Sequence, residues 1–442
     1  MNISQKVATK ATVITSTTTD EPTKTGHRYL LADICAGSLL LMVELGLLAI
    51  IIHLGLIDPH QSLRLLSDWL NYEPMASSFY SNNPLAHYAP FCWRVLTPWL
   101  VYGLTTLGLS LHGGFLLVTT IGLCGTIIVV YALLRLCGAT TWQALAIAML
   151  IQTQYVPGLL GLWNFVVTDP LSYLLLGLAF LLYWRNRPRW LMVVLALAAL
   201  NRETALFAVA AFAGEQVIHR DWKRLKSYLP AYVVPGLIIL TLHVAIFHVG
   251  SYNLISQVGA TWSTRTGLAG RGSTQVQFGN VNAYALNIYH LTINAFGLLL
   301  PLLLLQFIHP PYVIRRPEVW IFLLVTIVQI IFAADNERLM FIAFPVVALA
   351  AWHELRWLAQ CLKLPAAVIG FFLVCVQGLF LMGQFYKAVA DFSFNKTVSL
   401  QEPRWLNELW LGMLMLIIVA TVGAILWIVG FGIRRLYLYA QA

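Results

Sequence analysis

From Leu30 to Val429 the chain repeats long apolar runs broken by short polar stretches, and this repetition limits the fold more than any single motif does. A helix crossing a hydrocarbon core needs about 20 apolar residues, with a lower limit of about 17. Only 10% of the residues are charged and 59% are hydrophobic, whereas a soluble domain carries about 25% charged residues. The expected fold is therefore all-α, a polytopic helical membrane protein. Residues 1–28 are polar and Thr-rich and read as a disordered cytoplasmic tail. The first apolar run is too long for the core of a signal peptide. The net charge of +9 does not call for nucleic acid, because basic residues crowd the cytoplasmic loops of membrane proteins. Of six cysteines, only Cys92 falls in a long polar loop, so neither a disulfide framework nor a metal cluster is indicated.

Spans are expected at about 34–57, 113–136, 142–161, 169–184, 188–201, 204–218, 230–249, 289–308, 318–334, 338–353, 364–384 and 410–433. The pair 188–201 and 204–218 falls short of full spans and reads as a helical hairpin, its tip Asn201 to Thr204 below the membrane surface. Segment 94–109 opens Arg94-Val95-Leu96-Thr97-Pro98-Trp99. Trp favours the membrane interface, so this segment reads as a helix lying in the outer interface. Charge counting supports that choice: eighteen of the 27 Lys and Arg residues then fall inside and nine outside. Treating 94–109 as a span would move Arg135, the Arg185 to Arg189 group and the later basic loops outside, against the positive-inside rule. The expectation is twelve spans with both termini cytoplasmic. The chain divides into the tail 1–28, a core over 29–360 with outer loops 58–93 and 250–288, and C-terminal helices over 361–442.

This topology puts every unusual polar cluster outside. Loop 58–93 carries Asp58, His60, Asp68, Glu73 and His87 and leads to Arg94. The tip 162–169 carries Trp163, Asn164 and Asp169; the hairpin tip carries Asn201, Arg202 and Glu203; a later tip carries Asp335, Asn336, Glu337 and Arg338. Charges beside apolar runs are costly and mark functional sites by default. If these tips lie on one side of the membrane, they can converge. Outer carboxylates suit general-base work on an acceptor hydroxyl. Outer arginines suit a phosphate, because guanidinium offers a two-pronged donor fork and keeps its charge. Together they suggest a transferase using a lipid-linked phosphate donor, with the lipid tail between helices. Candidate catalytic carboxylates are Asp58, Asp68, Asp169 and Glu203. Candidate substrate-binding residues are Arg94, Arg202, Arg338, Asn164 and Asn201.

Each residue also has a plainer reading. Arg94 can snorkel at the interface, and Arg202 and Glu203 can pair with neighbouring helices. Asp169 precedes Pro170 and suits a helix cap, and Asp335 can cap the next helix. Asp58-Pro59 can simply end the first span. Loop 259–280, rich in Gly with Thr, Ser and Arg, is either a substrate lid or a connector. Asn395-Lys396-Thr397 matches a glycosylation sequon. No His, Cys and carboxylate spacing points to a metal.

The order of these pieces resembles the GT-C superfamily of integral membrane glycosyltransferases. Phe91-Cys92-Trp93-Arg94-Val95-Leu96-Thr97-Pro98-Trp99-Leu100 looks like the Arg-x-Leu-x-Pro stretch of uncharacterised bacterial members. Thr168-Asp169-Pro170, Asn201-Arg202-Glu203-Thr204 and Glu337-Arg338-Leu339 up to Pro345 look like further pieces of that pattern. The resemblance covers most of residues 30–353. It implies inverting transfer of a sugar from a polyprenyl-phosphate donor, with or without a divalent metal, to a glycan, lipid or protein acceptor at the outer face of a bacterial plasma membrane. It also implies a base in the first outer loop, where Asp58 and Asp68 match by location and no Asp-containing motif is recoverable. Asp169 and Glu203 are the alternatives. A transporter or flippase of lipid-linked saccharides is the second expectation. An O-antigen-type polymerase or ligase, relying on outer arginines and His, is the third.

Overall fold

The computed structural model describes residues 25–53, 69–78, 84–87, 91–246 apart from 155, 295–304, 316–332 and 336–394. Asp58, Asp68, Asp335, the loop 259–280, Asn395 and the last expected span lie outside the described residues. The described chain is helical, with no strand among these residues. In order the helices are α1 (Thr25–His53), α2 (Trp69–Ser78), α3 (Leu96–Thr106), α4 (Leu111–Leu136), α5 (Thr141–Gln152), the single turn α6 (Gly161–Trp163), α7 (Asp169–Trp184), α8 (Pro188–Asn201), α9 (Ala205–Ile218) and α10 (Trp222–Ala245). They continue with α11 (Leu299–Leu304), α12 (Pro317–Phe332), α13 (Asn336–Phe341), α14 (Phe344–Leu362) and α15 (Ala366–Phe394).

Four stretches are long and apolar enough to cross a membrane: Leu31–His53, Leu111–Leu136, Trp222–Ala245 and Ala366–Gly383. Five shorter apolar helices accompany them, including α7, α8 and α9. Large apolar side chains on α1 and α10, among them Met42, Leu45, Leu237 and Leu240, point outward. An outward apolar surface on long apolar helices is what a helical membrane protein presents to lipid.

Local sequence sets the boundaries. Ser110 caps α4 by accepting the Gly113 N–H at 3.1 Å. Thr140 and Gln143 form a reciprocal capping box at the start of α5. Pro170 and Pro188 occupy first-turn positions of α7 and α8, where the missing N–H costs no helical bond. Gly138 ends α4 at a φ of 91°, a backbone setting that suits glycine.

The helix boundaries expected at 169–184, 188–201 and about 204–218 agree with α7, α8 and α9. Other stretches differ. The expected span 142–161 is not one helix: α5 stops at Gln152, and a π-helical turn at Val156–Leu160 follows. Pro157 has no N–H to continue a regular helix, and Gly158 lets the chain pass close to the Gln152 carbonyl, where a Cβ would lie 2.8 Å away. The expected span 338–353 divides between α13 and α14, the latter starting at Phe344-Pro345. Helix α10 starts at Trp222, earlier than expected, because Asp221 caps it by accepting the Arg224 N–H at 3.1 Å.

Helices α4 and α7 pack closely through glycines. A Cβ on Gly122 would lie 2.6 Å from the Pro170 backbone carbon, and one on Gly177 would lie 2.9 Å from the Val129 side chain. Small residues let two membrane helices approach this way. The contact clamps the first turn of α7, and with it Asp169.

A candidate anion site at the helix tips

Four separate stretches supply the candidate site. Arg94 lies between the 3-10 turn Phe91–Trp93 and α3; Asp169 opens α7; Asn201 ends α8 and Arg202 and Glu203 follow it; Arg338 lies in α13. Arg94 holds Glu203 with two prongs, Nη2 to Oε1 at 2.6 Å and Nε to Oε2 at 3.2 Å. Its Nη1 donates to the Tyr72 hydroxyl of α2 at 3.2 Å. Arg202 contacts the Asp169 carboxylate directly, and Arg338 Nη1 donates to the same carboxylate at 3.2 Å.

Asn201 locks the tip to its surroundings. Its amide donates to the Thr168 carbonyl at 2.8 Å and to the Ser172 hydroxyl at 2.7 Å, and its oxygen accepts from Thr97 at 2.6 Å. One fully buried side chain thus joins α3, α7 and α8. Tyr173, on the next turn of α7, donates to the Arg338 carbonyl at 2.9 Å and ties α13 to the same place.

The two carboxylates differ in access. The Asp169 side chain is 5% exposed and that of Glu203 is 41% exposed. Asp169 does not cap its helix through its side chain: the capping position is Thr168, without a side-chain bond, and the carboxylate turns to the arginines. The plainer reading of Asp169 as a cap is therefore set aside. The partial loss of water around Glu203 would raise its carboxyl, but the Arg94 guanidinium outweighs that and brings the value down from 4.5 to about 2. Burial, joined by the neighbouring Arg94 charge, lowers Arg202 from 12.5 to about 10, which leaves it charged at neutral pH.

Among the described residues, three guanidinium groups therefore face two carboxylates. Arg202 Nε is buried without a hydrogen-bond partner. A buried donor with no acceptor is costly, and an anionic oxygen would relieve both the missing bond and the surplus charge. A divalent metal does not fit this donor set. Both carboxylates are taken by guanidinium groups, and no three His, Cys, Asp or Glu side chains gather among the described residues.

An apolar cavity of about 290 Å³ opens next to the tip, lined by Leu200, Val234, Leu237, Ile238, Thr241 and Leu242. Leu200 immediately precedes Asn201 and Arg202. Leu242 packs on Trp93, the residue before Arg94. One wall of this open groove thus ends one residue before Asn201, and the other packs beside Trp93.

Of the residues singled out from sequence, Arg94, Asp169, Asn201, Arg202, Glu203 and Arg338 meet here. Asn164 is buried five residues before Asp169, its side-chain oxygen without a partner, and makes no hydrogen bond to the cluster. Sequence reasoning missed Tyr72, Thr97 and Ser172, which are ordinary polar residues whose role comes only from their neighbours. No protein-family model matches the chain, and no curated protein matches it.

Proposed function

We propose that the chain is a membrane glycosyltransferase that takes a sugar from a polyprenyl-phosphate donor and passes it to a glycan, lipid or protein acceptor at the outer face. The full arrangement of twelve spans, cytoplasmic termini and a bacterial plasma membrane belongs to this proposal. The observation that carries it is the juxtaposition of a buried cluster with surplus positive charge and an apolar cavity starting one residue away. A phosphate with a long apolar tail matches both halves at once. Arg202 and Arg338 bind the phosphate oxygens, and the first isoprene units enter the cavity between α8 and α10.

The chemistry follows from the pairing. An incoming phosphate competes with Glu203 for Arg94. Glu203, once released, returns toward the ordinary carboxylate range and becomes a better base. The acceptor oxygen attacks the anomeric carbon as its proton passes to Glu203. The bond from that carbon to the phosphate oxygen breaks, and the electron pair leaves with the phosphate, stabilised by the arginines. Asp169, buried and shared by two guanidiniums, positions them and does not take the proton.

The test uses purified protein in lipid nanodiscs with a panel of polyprenyl phosphates and polyprenyl-phosphate sugars. The expected result is saturable donor binding and sugar release, both lost in folded Arg202→Ala. Absence of binding across the panel with folded wild type argues against the reading. A second reading, a transporter or flippase of lipid-linked saccharides, draws on the helix interrupted after Gln152, since transporters bind cargo at broken helices. Substrate movement without sugar release would favour it.

A further inference from the structure

Outside the arginine cluster, the described residues bury the carboxyls of Glu44, Glu318 and Glu354, and Glu44 is the one on α1. Glu44 lies near the middle of the apolar stretch Leu31–His53 and is 0% exposed. An ionisable residue inside a membrane span is a functional-site hypothesis by default, to be read with its partner. That partner is Gln152, the last residue of α5, also fully buried. The Gln152 amide nitrogen donates to Glu44 Oε2 at 2.8 Å and to the Leu40 carbonyl at 3.0 Å. Both amide hydrogens are thereby used, which fixes which way the amide faces.

The remaining oxygen of each group, Glu44 Oε1 and Gln152 Oε1, is buried without a hydrogen-bond partner. Two orphan acceptors thus remain on two groups already joined by one hydrogen bond. No cationic side chain among the described residues pairs with Glu44, so an anion here would be desolvated with a single N–H for support. One proton resolves both faults: it neutralises the carboxyl and, as Oε1–H, gives the Gln152 oxygen its missing donor.

We propose that Glu44 and Gln152 form an intramembrane proton-binding site, a neutral acid and an amide closed into a ring beside the broken helix. Beyond Gln152 the chain is irregular, and the Thr153 carbonyl, freed from helical bonding, accepts from Gln377 of α15 at 3.3 Å. The π-helical turn that follows leads to Asn164 and then Asp169. Among the described residues, the elements that pack most against α1 are α4, α5, α6 and the π-helical turn. Neither α5, α6 nor that turn has a titratable side chain. Helix α4 supplies Cys124, which lies within electrostatic reach of Glu44. Its His112 lies in the first turn of α4, against Phe165. The α4 residues Tyr131 and Arg135 bind Asp33, which lies eleven residues before Glu44, or about 16 Å along the helix.

Asp33 provides an internal control, because Arg135, Tyr131 and Thr141 all donate to its carboxylate. The experiment treats full-length protein in nanodiscs with dicyclohexylcarbodiimide, an apolar reagent for protonated carboxyls, at neutral pH. Peptide mass spectrometry then reads the adducts. The expected result is labelling of Glu44 at about ten times the level of Asp33, the factor one unit of proton affinity supplies. Sodium at constant pH should leave it unchanged. Glu44→Gln should melt with wild type, because its amide makes the same two bonds to Gln152, while Glu44→Leu should melt lower. Equal labelling of the two carboxyls, protection of Glu44 by sodium, or Glu44→Gln melting as low as Glu44→Leu would each overturn the proposal.

Discussion

Asp169→Asn tests how the arginine cluster is balanced. The Asp169 carboxylate is 5% exposed and meets Arg202 and Arg338, whose side chains are 8% and 11% exposed. The amide has nearly the same shape, but it removes the charge and directs an N–H group at a guanidinium. Removing one partner of a buried ion pair costs about 3–5 kcal/mol, because the other charge remains buried and unpaired. Two guanidiniums lose a common partner here, so the loss should fall in that range. The assay is equilibrium unfolding in mixed detergent micelles, run as a double-mutant cycle with Arg202→Met. If the stranded Arg202 charge is the cause, the double variant should lose about 1–3 kcal/mol less than the sum of the singles. Effects that add to within about 0.5 kcal/mol would refute the reasoning. So would Asp169→Asn unfolding within about 0.5 kcal/mol of wild type, the scale of an inconsequential surface change.

Glu203 has a carboxyl lowered to about 2, so its stabilising contribution is complete above the ordinary value of 4.5 and is lost as pH falls through about 2. The melting difference between wild type and Glu203→Gln should therefore be flat from neutral pH down to about 5 and shrink below it; a difference that fades near neutral pH would contradict the pairing with Arg94. Asn201→Leu strands the Thr97 hydroxyl and the Thr168 carbonyl, at about 1–3 kcal/mol for each buried group left unpaired. Denaturant unfolding should show that loss, and near-wild-type stability would mean the tip is not held by this side chain. Gly122→Ala pushes α4 against the Pro170 backbone, which should cost about 1–3 kcal/mol and weaken phosphate binding by displacing Asp169. Unchanged calorimetric titration with a short-chain isoprenyl phosphate would show that the α4 and α7 contact does not set the site.

The charged tips were legible from sequence because a charge between apolar runs stands out against its neighbours. Arg202-Glu203 and Thr168-Asp169-Pro170 could be read as one cluster once all were assigned to the same side. The pairing could not. Nothing in the spacing says that Arg94 takes Glu203 while Asp169 takes Arg202 and Arg338, since that depends on how α3, α7, α8 and α13 cross. The break after Gln152 is marked in the sequence by Gln152-Thr153-Gln154 and by Pro157-Gly158, but the apolar runs on both sides join into one stretch long enough for a span. Glu44 was visible by the same rule that picked out Arg202, but a single acid without a nearby basic residue or a polar loop drew no attention. Its meaning comes from Gln152, more than a hundred positions away.

On the proposed chemistry, the excess of guanidinium over carboxylate groups among the described residues of the site also orders what it holds most firmly. A donor diester carries one negative charge on its phosphate, whereas the monoester left after sugar transfer carries nearly two. In that scheme the guanidiniums that draw the electron pair of the breaking bond onto the phosphate therefore grip the spent carrier more strongly than the loaded one. On the proposed chemistry, turnover is then paced by departure of the carrier lipid, and Glu203 regaining Arg94 is the step that evicts it. On that proposal, the ion pair between Arg94 and Glu203 is the reset position of the cycle.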